Sequence, residues 1–209
     1  MRLVLLLALI FLGGCGQAQD QTQVQKAPKE QEETLADFET IKDFLEEKLE
    51  GEILIRDYGE DSGKTKIVFE KDGSFHGDYF GKITSDGQDY GLTWLAQSKY
   101  GAEEIHTSDF RGIFEITEML DEYTYKLDLR DYKITSEVGP YEDIYYSVDF
   151  ALGLDPEEDY ILYRPGASIG KLIQDEELLA IARDHSPDGE KIKGFIIYSP
   201  GTKEVFYQN

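Results

Sequence analysis

Apolar and polar positions follow four successive patterns along the chain. Residues 3–12 are apolar without interruption. Residues 16–33 are almost all polar: Gln17, Gln19, Gln21, Gln23, Gln25 and Gln31 alternate with small or charged residues, leaving nothing to bury. Apolar residues then recur at Leu35, Phe38, Ile41, Leu45 and Leu49, the spacing of one helical face. That spacing predicts an amphipathic helix over 34–50, with Thr34 as its N-cap, Asp37 three residues on and Gly51 as its stop. Beyond Gly51 the pattern breaks into short β-type runs separated by turn residues. It predicts strands over 52–56, 66–70, 74–80, 110–116, 123–129, 143–150, 159–163, 192–198 and 204–207.

The runs read as antiparallel. Asp72-Gly73 lies between two of them as a hairpin turn would, and Tyr123, Tyr125, Leu127 and Leu129 alternate with Thr124, Lys126 and Asp128. Two internal echoes stand out. Phe75-x-Gly77-x-Tyr79 is matched by Phe110-x-Gly112-x-Phe114, where glycine between two aromatics on one strand face leaves room for a crossing backbone or a neighbouring ring. Ile161-Leu162-Tyr163-x-Pro165-Gly166 is matched by Ile196-Ile197-Tyr198-x-Pro200-Gly201. Neither recurs with a fixed period, so the chain is not a solenoid or propeller. Ile173, Leu178, Leu179, Ile181 and Ala182 predict one short helix over 173–183. The predicted fold is mainly β: an antiparallel barrel or sandwich, a lipocalin-like barrel included, with an N-terminal amphipathic helix and one short helix later. Its interior would be either filled by Phe and Tyr or open to one small apolar molecule.

The N-terminal run has the order of an export signal: Arg2, the apolar core, then Gly13, Gly14 and Cys15. Ten residues of helix cover about 15 Å of a hydrocarbon layer about 30 Å thick, so the run is too short to span. Leu12-Gly13-Gly14-Cys15 resembles the bacterial lipobox, and Cys15 is the chain's single cysteine. The organisation expected is a signal peptide over 1–14, lipidated Cys15 and a polar tether over 15–33, the helix over 34–50, and one β-rich domain over 51–209. The expected location is the extracytoplasmic face of the cell membrane, reached through lipid on Cys15. Phe69-x-x-Asp72-Gly73-Ser74-Phe75-x-Gly77, Phe110-x-Gly112-x-Phe114, Asp121-x-Tyr123-Thr124-Tyr125 and Ile161-x-Tyr163-x-Pro165-Gly166 resemble elements of lipoproteins of unknown role from Gram-positive bacteria of the Firmicutes and Clostridia type. That resemblance implies location and fold type. It assigns no activity and no site residue.

Charge narrows the partners. The chain carries 21 basic and 43 acidic side chains, a formal charge of −22. Acidic residues spread over its whole length exclude nucleic acid, which needs clustered Lys and Arg, and they hold the domain off anionic head groups. Divalent cations and cationic peptides are compatible partners, and the same charge simply maintains solubility.

Four groups of residues could carry chemistry. Gly166-Ala167-Ser168-Ile169-Gly170 matches a nucleophile elbow, in which Ser168 would attack an acyl carbon, His185 would take its proton and Asp175 would orient the imidazole. Against it, Pro165-Gly166 explains the segment as a turn, and an elbow belongs on a mostly parallel sheet. Asp155, Glu157, Glu158 and Asp159, and separately Asp86 and Asp89, cluster oxygen ligands of the calcium type without forming a helical-hand loop. His76 with Asp78, and Glu104 with His106, each offer half of a metal site, but zinc needs three or four ligands and no cysteine remains to help. Tyr123, Tyr125, Tyr145 and Tyr146, with Tyr132 between them, could form a surface that stacks on sugars or peptides; strand preference for aromatics, with hydroxyls that reach water, is the more ordinary account. The reading is a membrane-anchored β domain that binds a small ligand or an envelope protein without catalysis and with no cofactor, calcium aside. The alternatives are a serine hydrolase at Ser168 and His185, and a structural envelope protein with no specific ligand.

Overall fold

A computed structural model describes residues 29–59, 63–83, 104–142 and 145–208. Cys15, the leader, the tether as far as residue 28 and the Asp86 to Asp89 loop lie outside the described residues. The elements in chain order are α1 (Lys29–Leu49), β1 (Ile53–Asp57), β2 (Gly63–Phe69), β3 (Ser74–Ile83), β4 (Glu104–Asp121), β5 (Thr124–Ile134), β6 (Gly139–Glu142), β7 (Tyr145–Ser147), β8 (Tyr160–Tyr163), α2 (Glu176–Asp184), β9 (Ile196–Tyr198) and β10 (Val205–Gln208). The fold is mainly β. Eight strands pair antiparallel in the order β1, β2, β3, β4, β5, β8, β9, β10, and β10 pairs back onto β1 through Leu54 with Gln208 and Ile55 with Tyr207. The predicted barrel-or-sandwich is therefore a closed barrel that follows sequence order. The β6–β7 hairpin stands outside it, with β7 lying parallel to β4 beside Ile105 to Thr107.

Both echoes pair with each other. Phe75 sits opposite Gly112 and Phe110 opposite Gly77, so each phenylalanine ring lies over the other strand's glycine. A β-carbon on Gly77 would lie 2.5 Å from the Phe110 ring and 2.1 Å from the Lys66 carbonyl oxygen; one on Gly112 would lie 2.7 Å from the Phe75 ring. Likewise Ile161, Leu162 and Tyr163 of β8 pair with Tyr198, Ile197 and Ile196 of β9.

The interior is filled. Phe75 contacts Phe69, Phe110 and Phe114 at centroid separations of 6.1, 6.3 and 5.1 Å, and Phe114 meets Tyr160 edge-on at 5.1 Å. One end of the barrel is capped by α1, whose Leu45 and Leu49 join the same apolar cluster, with Phe38 and Ile41 packed against it. The opposite end is sealed by residues 148–155, which place Val148, Ala151 and Leu154 in the cluster. There the Thr65 and Ser108 hydroxyls donate to the Leu152 and Phe150 carbonyls at 2.8 and 2.6 Å, satisfying polar backbone that would otherwise be buried unpaired.

A second apolar cluster lies outside the barrel. Leu178 and Ala182 of α2 pack with Tyr163, Ile196, Tyr198 and Val205, the outward residues of β8, β9 and β10. Asp175 caps α2 by accepting from the Glu177 and Leu178 amides. Arg56 ties the helix to the barrel: it meets Glu177 at 2.8 Å and also pairs with Glu204. Burial would lower the Arg56 guanidinium, but the hydrogen bond and charge of Glu204, with Glu177 beyond, outweigh it and hold the group above its ordinary value.

Several boundaries differ from the sequence prediction, among them the starts of β2 at Gly63, of α2 at Glu176 and of β9 at Ile196, and the end of β5 at Ile134. α1 begins at Lys29, because the Glu-rich stretch before Thr34 consists of strong helix formers, and those five residues belong to the helix rather than the tether. β4 is far longer than predicted: it starts at Glu104, where it already pairs with β3, and runs on to Asp121 through bulges against β5 that interrupt the alternation. β7 stops at Ser147, where the chain turns into the barrel mouth. β6 has no counterpart among the predicted strands.

Candidate functional site

The sequence-selected residues do not gather in one place. Asp175 caps one end of α2 and also lies 3.6 Å from Lys203. His185 is the C-cap at the other end, stacked on Tyr207 at 4.5 Å. Ten residues of helical rise separate them by about 15 Å, so Asp175 cannot orient His185. Ser168 has ordinary extended backbone (φ −76°, ψ 127°) and precedes a three-residue 3-10 turn, whereas a nucleophile elbow is a strained turn between strand and helix.

The acidic loop is held by its own bonds. Asp155 accepts from the Glu157 amide at 2.9 Å, its amide donates to the Tyr160 hydroxyl at 2.8 Å, and the Glu158 carboxylate packs against Gly201. Asp159 is exposed. Among the described residues no three His, Cys, Asp or Glu side chains are grouped so as to hold a metal ion. His76 is exposed and pairs with Glu70 at 2.9 Å, while His106 is buried near Tyr146 and Phe150.

The tyrosines do not share a surface. Tyr125 is inside the barrel, its hydroxyl donating to the Glu122 carbonyl at 2.7 Å. Tyr132 packs on Phe110, and burial pushes its hydroxyl well above the ordinary tyrosine value. Tyr145 and Tyr146 sit on β7 beside the start of β4, while Tyr123 stands just beyond its end.

A half-open hollow forms around Ser168. A cleft of about 190 Å³ lies between the β4–β5 turn, the turn after β8 and the loop before β9, and Ser168, Lys171, Lys191, Tyr123, Thr124 and Asp121 line it. Ser168 and Lys191 form an isolated antiparallel bridge, flanked by the Ile169 amide donating to Glu190 (2.9 Å) and the Ile192 amide donating to Ala167 (3.0 Å). Asp188 shapes the loop by accepting from the Glu190 and Lys191 amides and the Ser186 hydroxyl at 2.9, 3.1 and 3.0 Å, which together hold its carboxyl below the ordinary range.

The wall opposite is equally fixed. The Tyr123 amide donates to Asp121 at 2.7 Å, and the Arg164 guanidinium lies over the Tyr123 ring at 4.7 Å. Gly166 has φ +95°, and a β-carbon there would lie 2.9 Å from the same ring. The cleft is thus lined by two lysines, a serine, a threonine, one aspartate and an aromatic ring braced from behind. Hollows on the outer face of β3 to β5 are larger, one of about 710 Å³ beside Arg111 and Lys133, but they are shallow and open to water.

Sequence reading found Ser168 and Tyr123 but missed both lysines. Lys171 had a local signal, three residues after Ser168. Lys191 had none, because only the bridge brings it there.

The fold and cleft define the molecule as a closed eight-stranded antiparallel barrel with a small basic cleft on its rim. No protein-family profile, no curated protein and no solved structure matches the chain. Among the described residues no helix is long and apolar enough to cross a membrane.

Proposed function

We propose that the protein is a lipid-anchored extracytoplasmic binding protein, held to the membrane through Cys15, whose ligand sits on the barrel rim in the Ser168 cleft and not inside the barrel. The observation that carries this reading is the filled interior: among the described residues, rings from Phe69 to Tyr160 occupy it and both ends are covered. The anchor rests on the Leu12-Gly13-Gly14-Cys15 sequence and on the single cysteine. The likeness to Gram-positive lipoproteins supports the same location. α1, following the tether directly, would carry the domain clear of the surface that its acidic charge repels.

Native mass spectrometry of the whole protein, purified in detergent from its own host without chelator, tests the binding reading. A discrete added mass is the expected result. A clean apo mass, with no ligand recovered on repeated preparation, counts against it. Incorporation of labelled palmitate, abolished in Cys15→Ser, tests the anchor. A hydrolase would instead be labelled at Ser168 by a fluorophosphonate probe, and no labelling is expected.

A further inference from the structure

The cleft inverts the charge of the molecule around it. Over the whole chain acids outnumber bases about two to one, yet the cleft wall carries Lys171 and Lys191 against Asp121 alone. Asp121 is already engaged by the Tyr123 amide. Among the described residues neither lysine has a carboxylate partner within salt-bridge distance, although acidic side chains abound. The hydroxyls of Ser168 and Thr124 add donors that can reach the same space. Each donor sits on a segment fixed by backbone hydrogen bonds, so the backbone of the cleft is in place before any ligand arrives.

We infer that the cleft binds a phosphomonoester carrying a small flat body, the phosphate between Lys171, Lys191 and Ser168, and the body against the Tyr123 ring. Two ammonium groups with two hydroxyls match a doubly charged tetrahedral anion better than a single carboxylate. The Tyr123 ring, with Gly166 against its edge and the Arg164 guanidinium over one face, is a fixed wall that leaves its other face for a flat body. The volume, about 190 Å³, holds roughly six waters' worth of space, enough for a phosphate and one ring but not for a nucleotide. This inference rests on the cleft being the ligand site.

The test is calorimetric titration of the full-length protein in detergent with phenyl phosphate, inorganic phosphate, benzoate and benzyl alcohol. Phenyl phosphate is expected to bind about tenfold more tightly than inorganic phosphate or benzoate, and benzyl alcohol not to bind. Lys171→Gln and Lys191→Gln are each expected to weaken phenyl phosphate about tenfold, with Lys191→Arg retaining it, and Tyr123→Ala to reduce phenyl phosphate to the level of inorganic phosphate. Unchanged thermal melting of each variant keeps these losses separate from misfolding. Benzyl alcohol binding as well as phenyl phosphate, or lysine variants that bind normally, would overturn the ligand class. A neutral ligand in native mass spectrometry that Tyr123→Ala displaces would overturn it too while leaving the binding reading intact. No titrant bound and a clean apo mass would sink both. Vesicles containing phosphatidic acid distinguish the source: failure to displace phenyl phosphate assigns a free phosphomonoester, and displacement assigns a lipid head group of the same chemistry.

Discussion

On one side of the barrel β2, β3, β4 and β5 run 7, 10, 18 and 11 residues; on the other β8, β9 and β10 run four, three and four. The long strands bury one face. Their apolar residues point inward and their outward positions are polar, so they read as alternation. The short strands bury both faces, with Leu162, Ile197 and Phe206 inside and Tyr163, Ile196, Tyr198 and Val205 under α2. Their sequence is accordingly almost continuously apolar, as in Ile161-Leu162-Tyr163 and Ile196-Ile197-Tyr198. What the short strands lack in length, α2 supplies from outside. A barrel wall can thus be stabilised by ring packing within or by a helix without, and the hydrophobic pattern states which.

Substitutions can break this contrast. Phe114→Ala removes a ring that touches Phe69, Phe75 and Tyr160 and is expected to cost about 4 kcal/mol, read from urea unfolding. Gly77→Ala is expected to cost about 3 kcal/mol although it adds only a methyl, because the clashing Lys66 carbonyl belongs to the backbone and cannot swing away. Leu178→Ala, on the external side, should cost about 2.5 kcal/mol and raise amide exchange in β8 to β10 while leaving β3 and β4 protected.

Ile67→Val inside and Ile192→Val outside should each cost about 1 kcal/mol and add within about 0.5 kcal/mol. A larger coupling would mean that the two clusters are one cooperative core. The smallest effect concerns pH. The Asp188 carboxyl is depressed by the Glu190 amide first, then the Lys191 amide and the Ser186 hydroxyl. Its folded value lies below its unfolded value, so its contribution is complete above about pH 4 and is lost as pH falls through the folded value. Asp188→Ala should remove that acid dependence and loosen the Lys191 amide, which a proton–nitrogen NMR titration would follow.

Much of the fold was legible from the chain. Alternation in Tyr123 to Leu129 gave a one-sided strand, and Leu45 and Leu49 gave the buried stripe of α1. The paired echoes signalled a glycine-and-ring motif because antiparallel pairing reverses one copy onto the other, so a repeated pattern becomes complementary to itself. Barrel closure was not decidable, since it depends on β1 meeting β10, about 150 residues apart, and periodicity is local. The cleft was only half legible for the same reason. Ser168 and Tyr123 were visible as residue types, but their meeting with Lys191 depends on a single bridge and on the Asp188 loop.

Closure through β1 and β10 also sets an order of assembly. Leu54 and Ile55 find their partners only when residues 207 and 208 exist, so during synthesis β1 and β9 both wait with open edges. For the exported precursor proposed above, the last segment to cross would be the one that closes the barrel.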